Sequence, residues 1–501
     1  MPEHLRALIV ILVLSSLTFV VFRPAFERVI EASRLNRYFA IWVAITISAF
    51  VAHNIWIFTA ALVIILIFAS MKEKNIVALY VFIMFAVPLL PIKVPGFGVI
   101  EYLINLDYLR IVNLVLLFPL LLNRPKGNER TAKLVGVVDK LMIILVLYMT
   151  LLMLRETTMT DAIRAGVLHV IDILIPYFAI SRYVNSLDRM REVFGALVFA
   201  GLIFGLLAAF EYFKAWLLYS RLQSALGVSG GFGNYLRRGL ELRAQVSTGQ
   251  PIPLGYITAM IFGAWMYVRH FVENSNHRKL IYVLLAVAVF APISRGPWVG
   301  WVAMMFVIFY LGKNGTTKSL AFLFVGVAAF MVIAVLPGGE RFINLLPFVG
   351  NVEVQNIDYR DRLLDSALIV IDRNFWFGSV DFLQTPEMLA MIQGEGIVDL
   401  VNTYLVYALE FGIVGLVLFI LPFILGGIFV FSTKVDSSEL ISIRAVLLGL
   451  LMGTLLTIYT VSSITIIPRF YWLLLGLLAA FPACCRLFVS GDRWALSYES
   501  R

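Results

Sequence analysis

Arginines in three places along this chain are candidates for gripping one anion. Arg237, Arg238 and Arg243 stand just ahead of an apolar run. Arg295 stands between two apolar runs, and Arg360 and Arg362 stand in a long polar stretch with Arg373 beyond. The guanidinium fork matches phosphate oxygens two at a time, which a lysine point charge does not. A positive pocket of this kind at a membrane surface suits a lipid-linked diphosphate. The plainer alternative is pairing with lipid headgroups or with Glu241, Asp361 and Asp365. Arg295 resists that alternative most, because its turn is short and a charge at the bilayer centre costs at least about 2.5–3.5 kcal/mol. A second set, Arg110, His169, Asp172, Glu211 and Lys214, lies within or at the ends of apolar segments. His169 and Asp172 are three apart on one helix face, and the simple reading is a hydrogen bond between them.

These residues are set in a membrane. Of 501 residues, 61% are hydrophobic and 14% charged, and the mean hydropathy is +0.92. A soluble domain is about 45–50% apolar and about 25% charged. The net charge of +9 is scattered among short loops, so it reads as an orientation signal and not as a nucleic-acid surface. Two adjacent cysteines, Cys484 and Cys485, supply neither a disulfide framework nor a zinc site. No metal-ligand cluster, glycine-rich phosphate loop or Ser/His/Asp set stands out. The apolar segment after Arg6 lacks a small-residue cleavage site before Arg23 and reads as a first span.

About 20 apolar residues cross a bilayer as a helix. On that measure about 12–15 spans are expected, at 6–22, 38–52, 55–71, 76–92, 108–122, 137–154, 163–181, 192–218, 252–268, 279–293, 297–311, 318–336, 404–431, 442–462 and 468–488. The pair 38–71, divided at His53-Asn54, reads as either two tilted spans or one broken helix. From Lys72 onward the basic loops fall on one face, taken as cytoplasmic. The loops 219–251 and 337–403 and the turn at Arg295 then lie on the opposite, extracytoplasmic face. Within 337–403, Leu363, Leu364, Ala367, Leu368 and Ile371 form one face of an expected helix. The chain divides into an N-terminal bundle (1–230), a core with its long loop (231–432) and C-terminal helices (433–501). It holds no cytoplasmic domain large enough for an ATPase or a nucleotide-sugar transferase.

Four short motifs in order bring a family into view. They are Ser294-Arg295-Gly296-Pro297-Trp298-Val299-Gly300 before an apolar span; Arg243-Ala244-Gln245 with Gln250-Pro251-Ile252-Pro253-Leu254-Gly255 upstream of it; Tyr359-Arg360 with Leu363, Ala367 and Asn374-Phe375-Trp376-Phe377-Gly378; and Asn402 followed by Gly412 and Gly415. Across about residues 230–430 the chain resembles the O-antigen ligase and O-antigen polymerase (Wzy-like) superfamily of bacterial membrane glycosyltransferases. The resemblance implies a GT-C-like, all-α polytopic enzyme of the inner membrane. Its donor would be an undecaprenyl-diphosphate-linked glycan, with no nucleotide, metal or other cofactor. Arg243 and Arg295 match the diphosphate-binding arginines, and Arg360 belongs to the same group. Implied partners are that glycan, membrane lipid, a chain-length regulator and a flippase.

The chain departs from the family at Val401, where the pattern has a histidine. Valine accepts no proton, so Asp399 or Glu395 would have to serve as base. A helix beginning near 398 would set Asp399 on one face with Asn402, which would orient it or the acceptor. The alternative for Asp399 is a helix cap. The leading expectation is a polymerase for an exopolysaccharide or O-antigen. The others are a ligase transferring glycan to lipid A core or protein, a transporter or flippase, and an inactive scaffold. A transporter should show repeats with broken spans in matching halves, and none is visible.

Overall fold

The computed structural model describes residues 1–98, 101–122, 133–228, 233–336, 339, 354–392 and 396–499. The helices are α1 (Glu3–Phe26), α2 (Ala32–Val51), α3 (Ile55–Met71), α4 (Ile76–Ile83), α5 (Tyr108–Leu122), α6 (Lys133–Glu156), α7 (Met159–Tyr183) and α8 (Leu187–Lys214). There follow α9 (Pro251–Val268), α10 (Ser275–Phe290), α11 (Arg295–Leu311), α12 (Gly315–Val335), α13 (Val354–Arg373), α14 (Thr403–Ser432), α15 (Ser438–Thr460) and α16 (Ile467–Glu499). Two small antiparallel hairpins complete the set: β1 (Ile92–Pro95) with β2 (Tyr102–Leu106), and β3 (Arg237–Arg238) with β4 (Glu241–Leu242). Among the described residues nine helices are long and apolar enough to cross a membrane. Three shorter apolar helices are Ile55–Met71, Tyr108–Leu122 and Arg295–Leu311. The chain is an all-α polytopic membrane protein.

Polar side chains set many of the helix starts. Asn54, Asn75, Asp107, Thr158, Ser186, Asn274, Asn402 and Ser437 each accept from free amides of the first turn that follows. Asn54, next to the left-handed His53, makes 38–71 two helices and not one broken helix. The expected span 76–92 is a correction. Helix α4 stops at Ile83, and Pro88 and Pro91, which lack an amide, lead into the β1 strand. Seven of its eight residues, Val77 to Ile83, are buried, and it packs against α2 and α8.

Helices α8 and α9 are almost wholly buried and form the centre. Helix α11 crosses α15 at small residues. A Cβ on Gly300 would lie 2.7 Å from the Gly453 carbonyl oxygen, so the two backbones touch. This crossing places the start of α11, with Arg295, beside the end of α15. Helix α12 packs against α11 and is otherwise open to its surroundings.

The His169–Asp172 pairing is also corrected. Asp172 lies in a π-helical turn (Val170–Leu174) and accepts from Arg110 at 2.8 Å, with Arg469 on its other side. Arg469 also reaches Asp107 at 3.0 Å. Two cations and two carboxylates thus neutralise each other, which is how charges persist at this depth. A second π turn, Asn113–Leu117, meets the first through Asn113, which donates to the Ile171 carbonyl at 3.1 Å.

The loop helix α13 forms, with a narrower inner face than expected. Tyr359, Leu363, Ala367 and Val370 are buried against Phe382, Met388, Met391, Leu405 and Leu409, and Ile371 packs at the edge. Leu364 and Leu368 are about half exposed (45% and 52%). Among the described residues, nothing on the far side of the helix buries them.

Candidate functional site

The site is built where three loops meet at one end of the bundle. The first loop carries Arg238 and Arg243 and precedes α9. The second is the turn 291–294 before α11. The third is 461–466, between α15 and α16.

The first two are clasped by the arginines themselves. Arg238 donates to the Ile293 carbonyl at 2.7 Å. Arg243 donates through Nε to the Pro292 carbonyl at 3.1 Å and through Nη2 to the Ser294 hydroxyl at 3.0 Å. The Ala244 amide adds a bond to the Ala291 carbonyl at 3.2 Å. Arg295 is the first residue of α11 and is half-buried. Ser294, at the cap position, makes no side-chain cap; its hydroxyl is held by Arg243 and the Pro292 carbonyl. The sequence-expected pair Arg243 and Arg295 is therefore brought together. Helix α9 begins close by, since a Cβ on Gly255 would lie 3.2 Å from both Ser294 and Pro297 side chains. Two helix N-termini thus add their positive ends to the arginines, an arrangement that favours an anion.

The third loop brings in the start of α14. Gly296 packs against Thr460, with Val461 behind it. The Val461 carbonyl accepts from the Thr403 amide at 3.1 Å and the Thr403 hydroxyl at 2.8 Å. Ser462 donates to the Leu400 carbonyl, and the Thr403 and Ser463 hydroxyls meet at 3.0 Å. Residues 398–402 are outside any helix, so the helix expected from 398 begins instead at Thr403, and Asp399 does not share a helical face with Asn402. Asn402 is the cap, its side-chain oxygen accepting from Tyr404 at 2.9 Å and Leu405 at 3.3 Å. Asp399 is exposed, and its amide donates to the Tyr359 hydroxyl at 3.0 Å. That hydroxyl donates in turn to Met391 at 3.3 Å, and burial above all raises the Tyr359 pKa, so the phenol stays protonated. Arg360 is exposed on α13, one residue from this anchor. Glu395 lies outside the described residues.

Each of the three loops holds a β-branched residue in left-handed backbone: Val246 (φ 47°), Ile293 (φ 47°) and Thr465 (φ 48°). Such residues are genuine outliers there, costing of order 1–3 kcal/mol each, and persist only where the surroundings over-determine them. The clamps are visible for two. The Ile293 carbonyl is held by Arg238, and the Val246 amide donates to Glu211 at 2.8 Å.

Glu211 was legible only as an intramembrane charge; its task is positional. One carboxylate oxygen accepts from Gln245 at 2.9 Å as well as from Val246, and the other from Leu218 at 2.9 Å. The group is fully buried and fixes the segment that follows Arg243. A glutamine there would present an NH2 group to backbone donors. Since bonds to a charged group contribute about 1.5–3 kcal/mol each, Glu211→Gln should lower stability by about 3 kcal/mol and reduce transfer with it. Thermal unfolding in detergent beside an activity assay checks this, and an unchanged melting temperature would rule out the anchoring role.

Sequence reasoning also missed Glu410, a half-buried carboxylate two turns into α14 with no hydrogen-bond or ion-pair partner among the described residues. It lies beside the break at Gly412, where the loop motif and α14 interlock. Ser379 donates to the Leu409 carbonyl at 2.9 Å and Ile413 to Phe375 at 2.9 Å. From α6, Tyr148 donates to the Phe411 carbonyl at 2.8 Å and Arg155 to Gly378 at 2.7 Å. The two glycine motifs, far apart in sequence, are thus one joint.

The fold is an all-α polytopic membrane bundle with arginines gathered near two helix N-termini at one end. Residues 280–420 match the family described as O-Antigen ligase, which supports the resemblance to the O-antigen ligase/polymerase superfamily. The match supports a function of that broad type, that of a membrane glycosyltransferase-like enzyme. No curated protein matches the chain.

Proposed function

We propose that the protein polymerises undecaprenyl-diphosphate-linked oligosaccharide repeat units into an exopolysaccharide or O-antigen at the extracytoplasmic face of the bacterial inner membrane. The observation that carries this reading is the pair Arg243 and Arg295, set on strained turns beside two helix N-termini. An acceptor hydroxyl attacks the anomeric carbon of the donor, the carbon–oxygen bond to the diphosphate breaks, and the diphosphate leaves with its extra negative charge. Fixed guanidinium groups stabilise that charge as it develops. Arg360, exposed on α13, is assigned to the same diphosphate-binding group. The acceptor proton goes to a carboxylate, for which Asp399 and Glu395 stand in the place of the family histidine. Asn402 caps the helix that follows the segment on which Asp399 sits. A chain-length regulator and a flippase are the partners this reaction calls for.

The family description favours a second reading, a ligase, which shares the donor chemistry and differs in the acceptor. Deleting the gene separates the two. Loss of a polymerase leaves single repeat units; loss of a ligase leaves long polymer still on its lipid carrier. Unaltered surface glycan and lipid-linked intermediates would refute both. Asp399→Asn tests the base. Because the cap belongs to Asn402, the variant should fold normally, while transfer falls about 100-fold or more if Asp399 takes the proton. Full activity removes Asp399 from the mechanism.

A further inference from the structure

At the end of α9 remote from Arg243, the structure forms a second, separate basic site. A cavity of about 420 Å³ is lined by Arg269, His270, Ser275, Arg278, Lys279 and Tyr282. Arg269 donates to the Tyr282 hydroxyl at 2.7 Å, and Arg278 and Lys279 have no carboxylate partner among the described residues. The acids within reach are committed elsewhere. Glu273 pairs with Arg28, and Glu439 accepts from Arg191 at 2.8 Å and from Tyr267 at 2.6 Å. The His270 pKa is lowered, by burial first and then by Arg269, Lys318 and Arg278 with only Glu439 opposing, so four basic side chains crowd one spot.

The charges also sit where a helix least favours them. Helix α10 opens with Ser275-Asn276-His277-Arg278-Lys279 and has no acidic residue in its first turn. The positive end of its dipole faces cations. Mutual repulsion in a concave site, which Glu439 offsets only in part, is relieved by an anion. Beside the cavity, Leu280 and Val283 of α10 are exposed (48% and 60%), which continues the site along an apolar track.

We propose that this cavity binds a phosphate anion, carried by the headgroup of an anionic membrane phospholipid whose acyl chain lies along α10. Basic pockets between membrane helices are suited to such headgroups. The site is distinct from the one at Arg295, being separated from it by the full length of α9.

The test uses the full chain purified in detergent, with phosphatidylglycerol, phosphatidylcholine or inorganic phosphate added. Lipid retention is read by native mass spectrometry and stabilisation by thermal unfolding. The wild type should retain phosphatidylglycerol over phosphatidylcholine. Arg278→Gln with Lys279→Gln should weaken retention about 30-fold, from roughly 1 kcal/mol per cation. Lys72→Gln with Lys74→Gln, an equal charge change elsewhere, should leave it unaltered. If inorganic phosphate alone stabilises the wild type and fails on the 278/279 variant, the site holds and its source is a soluble anion. Equal losses in both double variants, or no preference between the lipids, would overturn the proposal.

Discussion

Replacing Arg295 by lysine lowers glycan transfer about 100-fold to 1000-fold while the protein stays in the membrane at its normal level. The charge is kept, so neither topology nor the helix start should suffer. What is lost is the planar fork that meets two phosphate oxygens at once. Losing one well-placed donor at a developing anion typically costs about 2.7–4 kcal/mol, which is the stated range in rate. Arg295 heads α11, while Arg238 and Arg243 hold the carbonyls of Ile293 and Pro292. Arg243→Lys should therefore show a mixed effect, with stability falling as well as rate. A near-normal rate in a well-expressed Arg295→Lys variant would make Arg295 a structural residue and remove the observation on which the proposed function rests.

How much of this was legible in the sequence depends on the range over which each feature is decided. Apolar length marked the spans, and local patterning marked the helix at 354–373, because both are settled within a few turns. The proline pair at 88 and 91 should have shortened the span at 76–92. The arginines could be picked out by type, and the pairing of Arg243 with Arg295 came from the family resemblance. The work of Glu211 could not be read, since its three partners, Leu218, Gln245 and Val246, are recruited by tertiary contact. Nor could the strained backbone at Val246, Ile293 and Thr465, which runs against the preference of those residue types. The Asp399–Asn402 face failed because a cap competes with the helix it starts: Asn402 bonds to amides ahead of it, and the segment before it lies outside the helix.

Replacing Gly412 by alanine should destabilise the protein by about 3 kcal/mol or more and abolish transfer. Gly412 has φ 67° and ψ −172°, a conformation open essentially to glycine alone. Its position is also closed to a side chain, since a Cβ would overlap the Trp376 backbone and lie 2.5 Å from the Phe377 nitrogen. The partner glycine is constrained the same way: Gly378 has φ 61°, and a Cβ there would lie 2.5 Å from the Gly412 nitrogen and 2.6 Å from the Leu409 oxygen. Both contacts are with backbone, which has no rotamer by which to move aside. The break in α14 is thus maintained by the loop 374–379 lying directly against it, with the Ile413 amide donating to Phe375 in place of a carbonyl one turn back. Forcing a Cβ into this joint pushes the loop away. With it go α13 and the Tyr359 hydroxyl that holds Asp399, 13 residues before Gly412 in the chain. The loss should therefore appear in two readouts: a lower melting temperature in detergent, and faster proteolysis within the 374–379 segment. Gly326→Ala is the control, because a Cβ there meets nothing within 4 Å and the helical backbone accepts it. If Gly412→Ala melts like the wild type, the loop is not seated on the helix break, and α13 must be held to the site by its apolar face alone.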